Sequence, residues 1–341
     1  MNSLERFLSL MNGKLPDRVP VICNLFDQGA RELGISIEDY YSKPENVVEG
    51  QVKLINKYGY DVVWGAFYVG YLAKILGSKK MIFSLNGPPN VGDLIIKKYE
   101  DIEKLNIPEN LSENEDVKAL IKCISMLKTE FNGKVPVASI VLSSFSLPAI
   151  LMGIENFFTL LYSGPTELID LLLEKCSVFC EKITKILRDA GVDFIAYTSS
   201  LATTDMITLN QFNNQDIKWI KKDIQRIGTS GIIYFNGGGR INQTIDTLIK
   251  ETGLMVYYIN PKDDIKAAKK IINRRGLLAG VINDIELVRW TPKEIENEVK
   301  RIMDEGKGSG GFIFGTLVMP YLIPESHIKV MLEAAYKYGR Y

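Results

Sequence analysis

Histidine is nearly missing from this chain of 341 residues, in which His327 is the only one. That scarcity rules out a histidine-rich metal site and leaves histidine acid–base catalysis with a single candidate. His327 follows Pro324-Glu325-Ser326 near a helix start and reads as a surface or capping residue. Cysteine is scarce as well: Cys23, Cys123, Cys176 and Cys180 are too few and too scattered for a disulfide scaffold. Neither sign of charge is in excess, because 41 Lys and Arg balance 41 Asp and Glu. A nucleic-acid binder carries a basic surplus, so no nucleic-acid partner is expected. The charges interleave, which argues against a charged tail. No window reaches about 18 uninterrupted apolar residues, so no membrane association is expected. The opening MNSLERFLSLMNGKLPDR holds charges inside its apolar run and lacks a small-residue cleavage site, so the expected location is cytoplasmic.

What is present is ordinary for a globular enzyme, with 46% hydrophobic and 24% charged residues. The length suits one closed α/β barrel, which takes roughly 250 residues plus insertions. Short, nearly continuous apolar runs at 19–25, 61–64, 135–142, 193–197, 231–235, 254–257, 276–280 and 311–314 read as strands buried on both faces. Segments of helical period lie between them, including 44–58, 165–190, 210–227, 263–273 and 292–305. This alternation predicts parallel βαβ units closing into a (β/α)₈ TIM barrel, with N-terminal additions, over a single domain, 1–341. Asn86-Gly87-Pro88-Pro89-Asn90 is a strong turn, and the flanking stretches 81–85 and 91–97 are expected to form an inserted β-hairpin. The polar segment 101–116 is expected to cover the outside of the barrel.

In such a barrel, chemistry sits at the C-terminal ends of the strands. Those ends supply Asn24, Phe26 and Asp27, then Trp64, Phe67 and Tyr68, then Ser144. Tyr197, Ser199 and Asp205 follow, then Tyr234, Asn236, Gly237, Gly238 and Gly239, and finally Asn260, Asp284 and Thr316. A lining of rings, hydroxyls and amides with few ionisable groups suits an uncharged aromatic or polar planar ligand. The run Asn236-Gly237-Gly238-Gly239-Arg240 reads either as a flexible turn or as backbone that approaches a bulky ligand closely. It is not a phosphate loop, because no Gly-Lys-Ser/Thr follows. Trp64, Phe67 and Tyr68 read equally as packing or as a stacking surface. Cys176 and Cys180 stand one turn apart in a long amphipathic helix and read as a buried structural pair. Cys23, inside a strand, reads as core.

Several segments in fixed order carry a resemblance. They are Glu5-Arg6-Phe7 with Asp17-Arg18-Val19-Pro20-Val21, Glu45-Asn46-Val47-Val48 with Tyr58-Gly59-Tyr60-Asp61, Gly153-Ile154-Glu155-Asn156-Phe157, Gly191-Val192-Asp193, and 308–314 with Tyr338-Gly339-Arg340-Tyr341. Through them the chain resembles the uroporphyrinogen decarboxylase-like superfamily, and more closely its cobamide-dependent methyltransferase branch. The resemblance implies the same barrel, a methyltransferase activity, cobalamin or another corrinoid supplied by a corrinoid-binding partner protein, a small methylated substrate, and pairing into a homodimer.

It also marks departures. The arginine-containing segment that holds carboxylates in the decarboxylases falls on Asp27-Gln28-Gly29-Ala30-Arg31, their catalytic aspartate on Tyr68, and their late histidine on Thr316. The zinc ligands of the thiol methyltransferases, His-X-Cys and a later Cys, fall on Tyr234, Asn236 and Thr316, so zinc is not expected at the family site. The resemblance then implies transfer of a methyl group from a small donor, such as an aryl methyl ether, to the cobalt of a partner's corrinoid. Tyr68, Tyr234, Asn236 and Asp27 would be the catalytic groups, Asn24, Phe26, Trp64, Phe67, Ser144, Tyr197, Ser199 and Thr316 would bind substrate, and Gly237, Gly238 and Gly239 would meet the corrinoid. A lyase acting on a non-tetrapyrrole carboxylate, with Arg31 or Arg240 as its cation, and a non-catalytic cobamide- or tetrapyrrole-binding barrel are the alternatives.

Overall fold

Each of the eight apolar runs overlaps one strand in the computed structural model, which describes residues 1–341. The strands are β1 (Val21–Asn24), β2 (Val63–Trp64), β3 (Val137–Leu142), β4 (Phe194–Thr198), β5 (Ile232–Phe235), β6 (Val256–Tyr258), β7 (Leu277–Ile282) and β8 (Phe312–Val318). They pair in parallel from β2 through to β8, and β8 pairs in turn with β1. The last two strands run beyond their expected ends, because Thr316 pairs with Ile282 and Val318 with Asn24.

Alternating side chains of the strands enter two separate apolar cores. Ile22, Trp64, Ala196, Ile233, Tyr258 and Ile313 point into the barrel lumen. Their neighbours, such as Val21, Val63, Ile195, Tyr197, Tyr234 and Tyr257, join an 86-residue core between strands and helices. The lumen is stoppered from below by the helix Ser3–Met11, which starts with an Asn2–Glu5 capping box and inserts Phe7 and Leu10. Phe7 lies 5.3 Å from the ring of Phe194.

No ladder joins β1 to β2, and two side chains close that seam instead. At the bottom, the Asp61 amide donates to the Val21 carbonyl at 2.9 Å. The fully buried Asp61 carboxylate accepts from the Val21 amide, Arg6 and Arg18. Higher up, the Gln51 side chain donates to the Leu25 carbonyl and accepts from the Trp64 amide. Removing one member of the buried Asp61 cluster would strand charge in the interior, which costs about 3–5 kcal/mol.

The helices follow their sequence signals. Pro44–Tyr58 begins on its proline, and Pro292–Gly306 begins on a Thr291–Glu294 capping box. Thr166–Asp189 fills the expected 165–190. The expected helix 210–227 is interrupted: after Leu209–Gln211 a π turn spans Phe212–Asp216 before Ile217–Ile227 continues. The wide turn buries Phe212 and Asp216 together. The inserted hairpin is smaller than expected, pairing only Met81–Ile82 with Asn90–Val91. Pro88 and Pro89 have no amide hydrogen to donate, so a longer ladder cannot form. The segment 101–116 packs on Thr166–Asp189, where Lys175 donates to the carbonyls of Ile102, Glu103 and Leu105. No helix is long and apolar enough to cross a membrane.

Candidate active site

The loops that follow the strands form two cavities at the open end of the barrel. The first, of about 260 Å³, is walled mainly by apolar groups. Phe26 and Asp27 reach it from the end of β1, Phe67 and Tyr68 from the end of β2, and Pro88 and Pro89 from the inserted ribbon. Tyr68 is held edge-on by Tyr41, Tyr71 and Phe83, with ring centroids 5.2, 5.6 and 5.8 Å away. Phe67 stacks on Tyr71 at 4.5 Å. Phe26 rests on Trp64, which lies beneath it in the lumen at 5.0 Å.

Asp27 is the only ionisable carboxyl of this cavity and is 4% exposed. The Tyr41 hydroxyl donates to it at 2.7 Å. Burial raises the Asp27 pKa above the ordinary carboxyl range, and the Tyr41 hydrogen bond opposes that rise only in part. Burial likewise pushes the Tyr68 phenol up to about 12, with Asp116 adding to the effect, so it remains a hydrogen-bond donor at neutral pH. Tyr41 escaped the sequence reading because it sits in the helix Ile37–Ser42, away from any strand end. Its position depends on Tyr40, which fills the space a Cβ on Gly29 would occupy, 2.2 Å from the Tyr40 hydroxyl.

The second cavity, of about 640 Å³, is polar and lies over the ends of β4 to β8. Gly237, Gly238 and Gly239 line it together with Asn260, Asp205 and Asp284. The glycines have a packing reason: a Cβ at Gly237, where φ is +62°, would meet Ser200 at 2.3 Å, and one at Gly239 would meet Thr203 at 2.2 Å. Asn236 turns back onto this loop, donating to the Gly239 carbonyl and accepting from the Gly238 amide. Arg240 is bound to Asp205, at 2.7 Å between Nη2 and Oδ1. Asp284 is 4% exposed, and burial raises its pKa to about 6.

Several expected site residues lie elsewhere. Tyr197 and Tyr234 do not face the mouth; strand alternation turns both rings outward into the helix layer. There the Tyr197 hydroxyl donates to Asp223 at 2.6 Å. Ser144 is fully buried, its amide donating to the same carboxyl, and Ser199 is fully buried with its amide on Phe235. Asn24 and Thr316 join β1 to β8: the Thr316 hydroxyl accepts from the Asn24 amide, and the Asn24 side chain donates to the Thr316 carbonyl. His327 contacts the Leu287 carbonyl at 2.8 Å through Nδ1. The four cysteines are buried free thiols.

The zinc-ligand positions implied by the resemblance do not fit zinc. Tyr234 points away from the lumen, Asn236 is engaged by its own loop, and the Thr316 hydroxyl is used by Asn24. No three His, Cys, Asp or Glu side chains gather into a set able to hold a metal ion.

"Methylcobamide:CoM methyltransferase MtbA" of Methanosarcina acetivorans is 24% identical, with 98% of each chain covered. "Uroporphyrinogen decarboxylase" of Geobacter metallireducens is also 24% identical, again over 98% of each. Among solved structures, a methyltransferase from Methanosarcina mazei superposes with a TM-score of 0.86 at 17% identity, covering 99% of both chains. A B12-independent methionine synthase from Shewanella sp. W3-18-1 reaches 0.54 at 10% identity, covering 88% of this chain and 87% of that one. The uroporphyrinogen decarboxylase (URO-D) family profile matches residues 2–338, and the chain belongs to that family.

Proposed function

We propose that this protein is a corrinoid-dependent methyltransferase component. It binds a small methylated donor, of the aryl methyl ether kind, in the apolar cavity and passes the methyl group to cobalt in the corrinoid of a partner protein. The observation that carries the reading is the Asp27–Tyr41 pair set in a mainly apolar, aromatic cavity at the barrel mouth. The MtbA relatives, named for methyl transfer between a methylcobamide and CoM, support the general activity. The unsuitable residues at the zinc positions disfavour activation of a thiol acceptor here.

The methyl–oxygen bond of the ether breaks as the methyl group forms a bond to cob(I)alamin, which supplies both electrons. The departing aryl oxygen takes one proton and leaves as a phenol. Cob(I)alamin is itself a strong nucleophile, so the barrel needs only to orient the donor and stabilise the leaving oxygen. Asp27, whose pKa burial raises, supplies the proton, and the Tyr68 hydroxyl adds a hydrogen bond to the same oxygen. Phe26 and Phe67 hold the ring by stacking. Exposed apolar side chains on the mouth loops, namely Val69, Ile82, Leu85, Ile285, Val318 and Leu322, support docking of the corrinoid protein at this end.

A carboxylate-consuming reaction is less well served. Arg240 is taken by Asp205, while Arg31 donates to the carbonyls of Tyr321 and Ile323, and neither lines the apolar cavity. The test is to mix the purified protein with a panel of methoxyarenes and a cob(I)alamin-loaded corrinoid protein. The expected result is a methylcobalamin spectrum with one phenol released per methyl group. No spectral change with any donor would count against the reading.

A further inference from the structure

A third cavity, of about 570 Å³, lies at the opposite end of the barrel from the mouth. It is bounded by the chain after the first helix, by the end of the helix Ile265–Ile272 with its following turn, and by the loop leading into β8. Lys14, Lys269 and Arg274 line it, and no acidic residue does. That is a local excess of positive charge in a chain of zero net charge. Arg275, next along the chain, is paired with Asp246, whereas Lys14, Lys269 and Arg274 form no ion pair. Lys269 is half-buried and donates only to the Gly310 carbonyl, which leaves two ammonium hydrogens without acceptors.

The backbone around these cations is shaped by left-handed residues. Asn273 and Arg274 have φ of +40° and +65°, and Gly310 and Gly311 have +107° and +70°. Asn273 is the left-handed C-cap of the helix Ile265–Ile272, and Arg274 carries the positive φ one residue further. The amides of Gly276 and Gly311 have no acceptor within the chain. They are single donors, since the amides of Arg275, Leu277 and Gly310 beside them bond within the chain. The Ser309 hydroxyl adds a donor, while Leu10, Leu15, Ile272 and Leu277 form an apolar wall.

We propose that this lower cavity binds a phosphate monoester, with its phosphate among Lys14, Lys269 and Arg274 and its organic part against the leucine and isoleucine wall. The volume falls within the range of small-molecule sites, about 300–1,000 Å³. The inference is independent of the methyl-transfer reading, since the two cavities lie at opposite ends of the barrel.

Calorimetric titration of the whole protein at fixed ionic strength, with inorganic phosphate and with phenyl phosphate, tests it. Both should bind saturably at one site, phenyl phosphate more tightly. Lys14→Ala and Arg274→Asn, at exposed positions, should each weaken binding about tenfold, as expected for a lost charge-assisted contact. Leu15→Asp, also exposed, should abolish it without altering the melting temperature of the unliganded protein. Absence of saturable binding, equal affinity for the two probes, or affinity unchanged in all three variants would overturn the proposal.

Discussion

The two halves of the barrel mouth are built from the same kind of strand end, yet one is walled mainly by rings and prolines and the other by polar side chains and glycine backbone. β8 divides them: Val318 borders the apolar cavity and Leu317 the polar one. On the apolar side, rings and prolines form the wall, and a single carboxyl is held above its ordinary pKa with one phenolic donor. On the polar side, the Arg240–Asp205 pair neutralises itself, and the glycine loop is fixed by close packing on Ser200 and Thr203. Burial raises one carboxyl in each half, Asp27 on the apolar side and Asp284 on the polar side, so the halves differ in wall chemistry and ion pairing rather than in the direction of the shift. The larger polar half is suited to a bulky, hydrated ligand.

The largest effect that would break or sharpen this contrast is expected at Asp27. Asp27→Asn keeps a partner for Tyr41 but cannot give up a proton to the leaving oxygen. Its kcat for methyl transfer should fall by about 10²–10⁴, with a much smaller change in KM, in single-turnover assays. On the other side, Gly237→Ala puts a Cβ 2.3 Å from Ser200 at a positive φ. It should destabilise the fold by about 1–3 kcal/mol in denaturant titrations while leaving the KM of the methylated donor unchanged.

A pH measurement separates the halves further. The folded-state pKa of Asp284 is raised from 3.8 to about 6. Its contribution to stability is therefore complete below pH about 4 and is lost as pH rises through about 6, with a slope of up to about 1.4 kcal/mol per pH unit in that window. Asp284→Asn should remove that slope in melts recorded across the range. The smallest effect, a slight fall in melting temperature, is expected for Arg240→Ala, since solvent screens an ion pair whose arginine is 51% exposed. A loss of stability much greater than that would mean that Arg240 fixes the polar half.

Much of the barrel could be read from composition along the chain. A strand buried on both faces writes itself as a continuous apolar run, and all eight were recognisable for that reason. The same property hid the direction of individual side chains. When both faces are apolar, period-two alternation leaves no mark, and a shift of one residue exchanges lumen for helix layer. Tyr197 and Tyr234 were placed at the mouth on that account, whereas Phe235 and Tyr258 pack on the lumen side. Phe26, Asp27, Phe67 and Tyr68 were legible because they lie beyond the strand ends, where alternation no longer decides. Tyr41, Pro88 and Pro89 were not, since they reach the cavity from a helix and a ribbon brought there only by tertiary packing. The seam closed by Asp61 and Gln51 was equally hidden, because a side chain replacing a ladder has no local signature.

The most direct measurement is methyl transfer from a methoxyarene to a cob(I)alamin-loaded partner, before and after exhaustive dialysis of the protein against a metal chelator. A barrel that works through the Asp27 proton and the aromatic cavity gives equal rates in both states, and Asp27→Asn lowers the rate about 10²–10⁴-fold in each. Loss of the rate on chelation, with recovery on adding back zinc, would contradict it.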